Sequence, residues 1–116
     1  MKNITAEPNI SIRQAMKNLN KSGEKCLVII DQKNTLLGTL SDGDLRKAIL
    51  KGSAMGDPIQ SIYQSTPTVL IDGKYALDEA NKLFTRNKFY VIPVIDIEVI
   101  LTAILFCVTV LINGNN

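Results

Sequence analysis

The sequence predicts an α/β (α+β) fold made of two pseudo-symmetric β-α-β-β-α repeats that form one compact module. Short apolar runs rich in β-branched residues alternate with segments whose apolar residues recur every three or four positions. The chain also matches itself at an offset of 65 residues. Its 116 residues suffice for about one domain with one modest core. We therefore assign residues 1–58 to the first repeat with its linker, and residues 59–116 to the second repeat, whose C-terminal tail is altered or truncated.

The internal repeat aligns helix with helix and strand with strand, without a gap. The aligned positions are Ile12 with Leu77, Ala15 with Ala80, Leu19 with Phe84, 28–31 with 93–96, Gly38 with Ala103, and Leu40 with Leu105. In both repeats an apolar strand ends at an aspartate. Two copies indicate a pseudo-symmetric pair rather than a longer solenoid.

The elements are predicted from periodicity and from turn residues. Two helices have apolar faces at three- and four-residue spacing, formed by Ile12, Ala15, Met16 and Leu19 and by Leu77, Ala80, Leu83 and Phe84. Strands are short apolar runs bounded by polar turns or by proline, and the second helix ends at a lysine and a glycine. In chain order we predict a helix over 10–20, strands over 26–30 and 36–40, a helix over 42–50, a short segment over 59–63, a strand over 68–71, a helix over 76–87 and a strand over 89–95.

The C-terminal part of the second repeat departs from the first. Phe106 and Thr109 stand where Ser41 and Asp44 stand in the first repeat, and Val99 occupies a turn position where glycine is expected. A phenylalanine side chain can neither cap a helix nor accept a hydrogen bond from a hydroxyl group. We therefore expect the second repeat to lack ligand-binding groups, which leaves at most one functional site.

The apolar tail over residues 99–112 requires a check for a membrane span. Its 14 residues are fewer than the roughly 20 that a spanning helix needs. Its β-branched residues favour a buried strand, so no membrane association is predicted. The tail is either a degenerate repeat, the point where a longer protein continues, or a departure from the natural reading frame.

Composition excludes several classes of function. The net charge is only +2, which is too small a basic excess to indicate nucleic acid. Histidine is absent, so the usual general base and the commonest metal ligand are missing. Cys26 and Cys107 lie inside apolar runs and are predicted to be core residues rather than a disulfide framework. The N-terminus has no apolar signal region, so we expect a cytoplasmic location.

Residues 38–47, with the sequence G-T-L-S-D-G-D-L-R-K, carry the chemistry of the chain. Here a strand leads into a helix whose first turn offers backbone N–H groups and the positive end of the helix dipole to an anion. Ser41 is placed to cap this helix, and Asp44 on the first turn can accept hydrogen bonds from a diol. The pattern suits the phosphate and ribose of a nucleotide.

Simpler interpretations of these residues remain open. Ser41 and Asp44 form a capping box that needs no ligand. Asp42 and Asp44 have the spacing of a metal-binding pair, but no third carboxylate lies nearby in the sequence, and we predict no metal site. Arg46 either reaches a phosphate or belongs to a solvated helix face, and Lys47 and Lys51 are interpreted as solvated or dipole-stabilising charges.

The run resembles the helix-entry motif of CBS domains, small regulatory modules named for cystathionine β-synthase. Gly38, Leu40, Ser41 and Asp44 fit that motif, with Thr39 in an apolar slot. The extended form S-D-G-D-L-R-K is most similar to CBS pairs attached to sugar-phosphate nucleotidyltransferases, and also to those attached to sugar-phosphate isomerases. The resemblance spans about residues 4–111 and implies a tandem CBS pair.

The resemblance implies a non-catalytic regulatory module that binds AMP, ADP or ATP in the cleft between two repeats and requires no cofactor. It implies ribose and phosphate contacts from Asp44, Ser41, Asp42 and Arg46, with Thr5 and Pro93 against the base. It also implies a homodimer formed through helices, and a sugar-phosphate enzyme fused or associated with the module. The alternative is a ligand-free dimerisation or scaffold module. An enzymatic role is disfavoured because no catalytic constellation is visible.

Overall fold

The computed structural model describes residues 4–87 and 89–106. The chain divides into two units, Met1–Pro67 and Thr68–Asn116. Residues 59–67, which the sequence analysis assigns to the second repeat, lie in the first of these units. The boundary between residues 58 and 59 stays a prediction, and each unit is described separately below.

The first unit is a three-stranded sheet with two helices. Its elements are β1 (Thr5–Ala6), α1 (Ile12–Ser22), β2 (Cys26–Ile30), β3 (Leu36–Ser41) and α2 (Asp42–Leu50), followed by a 3-10 turn at Ile59–Ser61. β2 is central, parallel to β1 and antiparallel to β3. The core of this unit is aliphatic, and its completely buried side chains include Ile12, Leu27, Ile29, Leu40 and Leu45.

The bounds of α1 are set by its caps. The Ser11 hydroxyl accepts a hydrogen bond from the Gln14 backbone N–H, and Gly23, with φ of 73°, ends the helix in the left-handed conformation. The helix therefore lies two residues later than predicted. Of the four residues on the predicted apolar face, Ile12, Ala15 and Leu19 are buried, whereas Met16 is 39% exposed.

The second unit repeats this arrangement through the strand that pairs antiparallel with its central strand. Its elements are β4 (Leu70–Ile71), α3 (Leu77–Arg86), β5 (Val91–Ile95) and β6 (Leu101–Phe106), with β5 central in the sheet. Its core consists of Leu70, Ala80, Phe84, Ile92 and Val94. Leu77, predicted to lie on the buried face of α3, is 72% exposed. It is the first residue of the helix, where a side chain has no preceding turn to pack against.

The hairpins of the two units have the same register, which confirms the internal repeat. Ile29 pairs with Gly38 in the first unit and Val94 with Ala103 in the second, and both hairpins shift register at the next residue. In each turn an aspartate side chain, Asp31 or Asp96, accepts hydrogen bonds from the backbone N–H groups two and four residues later. Hydrogen bonding to the Thr35 and Lys33 N–H groups holds the pKa of Asp31 below its usual value.

Residues 101–106 of the apolar tail form the strand β6, whereas Val99 lies in the turn before it. However, Thr102 and Ala103 are exposed and the other residues of β6 are only half-buried, so the expectation of a buried strand was wrong for this part. The remainder of the tail, with Cys107 and Thr109, lies outside the described residues. Among the residues that are described, no helix is long and apolar enough to cross a membrane.

Cys26 is a core residue, as predicted. It is a free, buried cysteine at the start of β2. Burial raises the pKa of its thiol to about 12, because a thiolate is poorly solvated in an apolar interior. The side chain is therefore a protonated packing group and not a nucleophile.

Candidate functional site

The junction of β3 and α2 holds Ser41 and Asp44 in a capping box. The Asp44 backbone N–H donates to Ser41 Oγ at 3.0 Å, and the Ser41 backbone N–H donates to Asp44 Oδ2 at 2.9 Å. Ser41 keeps an extended backbone while the next residue begins the helix. These reciprocal bonds fix the Asp44 carboxylate at the first turn of α2.

A second contact holds the other oxygen of this carboxylate. Gln64 Nε2 donates to Asp44 Oδ1 at 3.2 Å. Gln64 is brought there by a two-way backbone bridge with Thr39 in β3, with N···O distances of 3.0 and 2.8 Å. The sequence analysis did not identify Gln64, because a pairing across 20 residues leaves no local signal. Each carboxylate oxygen has capacity for a further hydrogen bond, so Asp44 is oriented while it can still accept hydroxyl groups.

Gly38 permits this close approach. A Cβ atom at position 38 would collide with the Gln64 backbone oxygen and would lie 2.5 Å from Tyr63 Cδ1. A side chain on this residue would therefore push the segment that carries Gln64 away from β3. The glycine of the motif is needed for packing at the site, independently of any ligand.

Arg46 is paired with Asp42. Arg46 Nη2 donates to Asp42 Oδ2 at 2.8 Å, and both side chains are exposed. This is the i,i+4 ion pair of a solvated helix face. In the described residues no group of three or more acidic or cysteine side chains is arranged to hold a metal ion, and the pair Asp42 and Asp44 has no third ligand among them. Roles for Asp42 and Arg46 in ligand binding stay predictions.

A cavity of about 290 Å³ adjoins Asp44. It lies along one face of α2 and is bordered by the segment after that helix. Its lining residues are Asp44, Lys47, Ala48, Lys51, Ser53, Ser61, Ile62 and Gln64, all in the first unit. The sequence analysis treated Lys47 and Lys51 only as surface charges, because the segment that closes the cavity has no periodic pattern.

The two predicted base contacts lie in different units. Thr5 is half-buried in β1, opposite Val28 of β2. Pro93 is completely buried in β5, opposite Ile104 of β6. Their roles as ligand contacts stay predictions.

Comparison with known proteins agrees with this architecture. Residues 1–51 match the family model for the CBS domain. The structure superimposes on CBSX2 of Arabidopsis thaliana, crystallised in complex with AMP, with a TM-score of 0.78 and 28% identity, covering 96% of this chain and 86% of CBSX2. The chain has the fold of a tandem CBS domain pair. The CBS domain pair of MJ0100, crystallised with 5′-methylthioadenosine and S-adenosylmethionine, shares this fold, with a TM-score of 0.80 at 24% identity over 100% of this chain and 92% of that one.

Full-length relatives of the CBS pair are longer proteins. Arabinose 5-phosphate isomerase GutQ of Salmonella typhi is 28% identical over 86 residues, which make up 74% of this chain and 26% of GutQ. The chain spans 26–28% of the length of such curated relatives. GutQ is a sugar-phosphate isomerase, one of the two enzyme groups that the extended motif resembles. The more specific likeness to nucleotidyltransferases is not supported by these relatives.

Proposed function

We propose that this chain is a non-catalytic regulatory module that binds an adenosine nucleotide through the β3–α2 junction. The observation that carries the proposal is the fixed Asp44 carboxylate. Hydrogen bonds from Ser41 and Gln64 orient it and leave it lone pairs for two ribose hydroxyls. The similarity to CBSX2, a protein crystallised with AMP, supports an adenosine ligand.

In this proposal Ser41 binds the first phosphate. Its oxygen accepts the Asp44 N–H, but its hydroxyl hydrogen can still be donated to a phosphate oxygen. A ligand that binds one arrangement of the module more tightly than another shifts its population and so reports nucleotide status to a partner domain.

A thermal-shift titration with AMP, ADP, ATP and GTP tests the proposal. A ligand present at 100 times its Kd adds about 2.7 kcal/mol to the free energy of unfolding, which gives a clear rise in Tm. We expect this rise with adenine nucleotides. We expect Asp44→Asn to abolish it, because the amide replaces one acceptor oxygen with a donor and removes the charge.

Asp78→Asn is the matched control for this titration. Asp78 is also an acid in the first turn of a helix, α3, and pairs with Lys82 at 3.4 Å. This variant should keep the full nucleotide-dependent shift. The proposal is contradicted if no nucleotide raises the Tm of the parent protein, or if Asp44→Asn responds as the parent does.

Exposed apolar side chains on helices favour a second candidate function, dimerisation without a ligand. Leu50 at the end of α2 is 80% exposed, and Ile49 and Met16 are also exposed. Because clustered apolar side chains at a surface mark protein–protein contacts, we propose that the module forms homodimers through α1 and α2. This role is compatible with nucleotide binding and also stands if nucleotide binding fails.

Leu50→Ser is expected to weaken the dimer at least about tenfold, because burying a leucine contributes roughly 1.5–3 kcal/mol. Sedimentation equilibrium measures the change. Leu77→Ser, at an equally exposed leucine of α3, provides the control and should leave the dimerisation constant unchanged. A parent protein that is monomeric at high micromolar concentration would rule out this role.

We further propose that the partner of the module is a sugar-phosphate enzyme. The match to the arabinose 5-phosphate isomerase GutQ favours an isomerase over a nucleotidyltransferase. Co-purification of the module with a sugar-phosphate isomerase domain, and a change in that domain's activity on addition of nucleotide, would support the assignment.

A further inference from the structure

Three of the four backbone N–H groups from Ser41 to Asp44 already donate to protein acceptors. The Ser41 N–H donates to Asp44 Oδ2, the Asp42 N–H donates to the Lys25 backbone oxygen at 3.0 Å, and the Asp44 N–H donates to Ser41 Oγ. These backbone groups would otherwise form an anion site at a helix start. Phosphates beyond the first therefore need other cationic or donor groups near Asp44.

The cavity beside Asp44 provides such groups. Lys47 lies in α2 and Lys51 is the residue that caps its C-terminus, four positions later; both line the cavity with Asp44. Ser53 and Ser61, whose side chains carry hydroxyl groups, also line the cavity. Asp44 is the only acid among the lining residues, so the end of the cavity remote from Asp44 is cationic.

The spacing of Asp44 and Lys51 matches an extended phosphate chain. The helix rises about 1.5 Å per residue, so Lys51 lies roughly 10 Å along the axis from Asp44. This is comparable to the length of a triphosphate attached to a ribose. The apolar lining residues Ala48 and Ile62 contribute no competing charge.

We propose that this cavity binds the second and third phosphates of the nucleotide through Lys47 and Lys51, so that the module prefers ATP and ADP to AMP. The inference rests on the proposed nucleotide site, with the ribose at Asp44. Two lysine–phosphate contacts, each a charge-assisted hydrogen bond, give an expected preference of at least about tenfold for ATP over AMP.

Isothermal titration calorimetry with AMP, ADP, ATP and inorganic tripolyphosphate tests the inference. Divalent cations are omitted, because Mg²⁺ competes with lysine for phosphate oxygens. Lys47→Gln/Lys51→Gln should reduce ATP affinity at least about tenfold more than AMP affinity. The matched control is the double variant Lys17→Gln/Lys21→Gln. These two lysines have the same i,i+4 spacing on α1, and replacing them removes the same charge.

The outcomes separate this inference from the proposed function. Loss of the ATP preference in the α2 double variant but not in the α1 control supports the inference. Equal affinities of the parent protein for AMP and ATP, or an equal loss in both double variants, overturn the inference and leave the nucleotide site intact. Binding of tripolyphosphate alone, lost in the α2 variant, supports an anion cavity and overturns the nucleotide site. Binding of none of the four probes overturns both.

Discussion

Gly38→Ala is expected to destabilise the first unit by about 3 kcal/mol or more. The new Cβ would collide with the Gln64 backbone oxygen, and overpacking of this kind costs about 1–3 kcal/mol. Relief of the collision would move the Gln64 segment away from β3. It would break the two backbone hydrogen bonds between Thr39 and Gln64, each worth about 1 kcal/mol. Urea denaturation followed by circular dichroism measures the loss.

Gly43→Ala is the control for this prediction. A Cβ at Gly43 would meet only Ser41 Oγ, at 3.7 Å, which is an ordinary contact. Because Gly43 lies in the first turn of α2 and alanine favours the helix, this variant should gain up to about 1 kcal/mol. Similar stabilities for the two alanine variants would show that the segment at Gln64 moves without cost, and that Gly38 is not required for packing.

The Gly38 variant also tests how the candidate site is built. Gln64 reaches Asp44 only because its backbone pairs with β3. If alanine at position 38 separates the segment from the strand, Asp44 loses one of its two orienting hydrogen bonds. The capping bond from Ser41 would remain. Any nucleotide affinity should therefore fall in this variant even under conditions where it is fully folded.

Sequence reasoning succeeds here where the structure depends on local chemistry. The start of α2 at Asp42 was predicted because Ser41 and Asp44 specify a helix cap from residues three positions apart. The strand β2 was predicted because an unbroken apolar run between polar turns indicates a buried strand. The match of the two hairpins followed from the repeat, because strand register depends on the spacing of the same residues in both copies.

Sequence reasoning failed where neighbours come from distant parts of the chain. Nothing in the local sequence around Gln64 indicates a contact with Asp44. Lys47 and Lys51 become cavity residues only because the segment at Ser53 and Ser61 folds back along α2. Leu77 fits a helical apolar pattern, but periodicity does not show that this first residue of α3 is exposed. These features depend on tertiary arrangement, which a pattern of residue types does not encode.

The two equivalent hairpin turns differ in their most constrained residue. Asn34 has a φ of 68° and Val99 a φ of 66°, so both adopt the left-handed conformation. Asparagine tolerates this conformation, whereas a β-branched residue does so only with strain. Both turns share one backbone hydrogen bond: the N–H of each residue donates to the backbone oxygen of the preceding aspartate, at 3.1 Å in the first turn and 3.0 Å in the second.

Val99→Asn is therefore expected to stabilise the second unit by about 1–2 kcal/mol, the usual cost of a left-handed conformation for a residue with a Cβ. Val99 is 43% exposed, so its removal forfeits little apolar burial. The reciprocal variant, Asn34→Val, should destabilise the first unit by a similar amount, and thermal unfolding of both variants measures the pair. Opposite shifts in the two variants would show that this left-handed position favours asparagine over valine in both turns. A loss of stability in Val99→Asn would instead show that the valine side chain contributes packing that outweighs its strain.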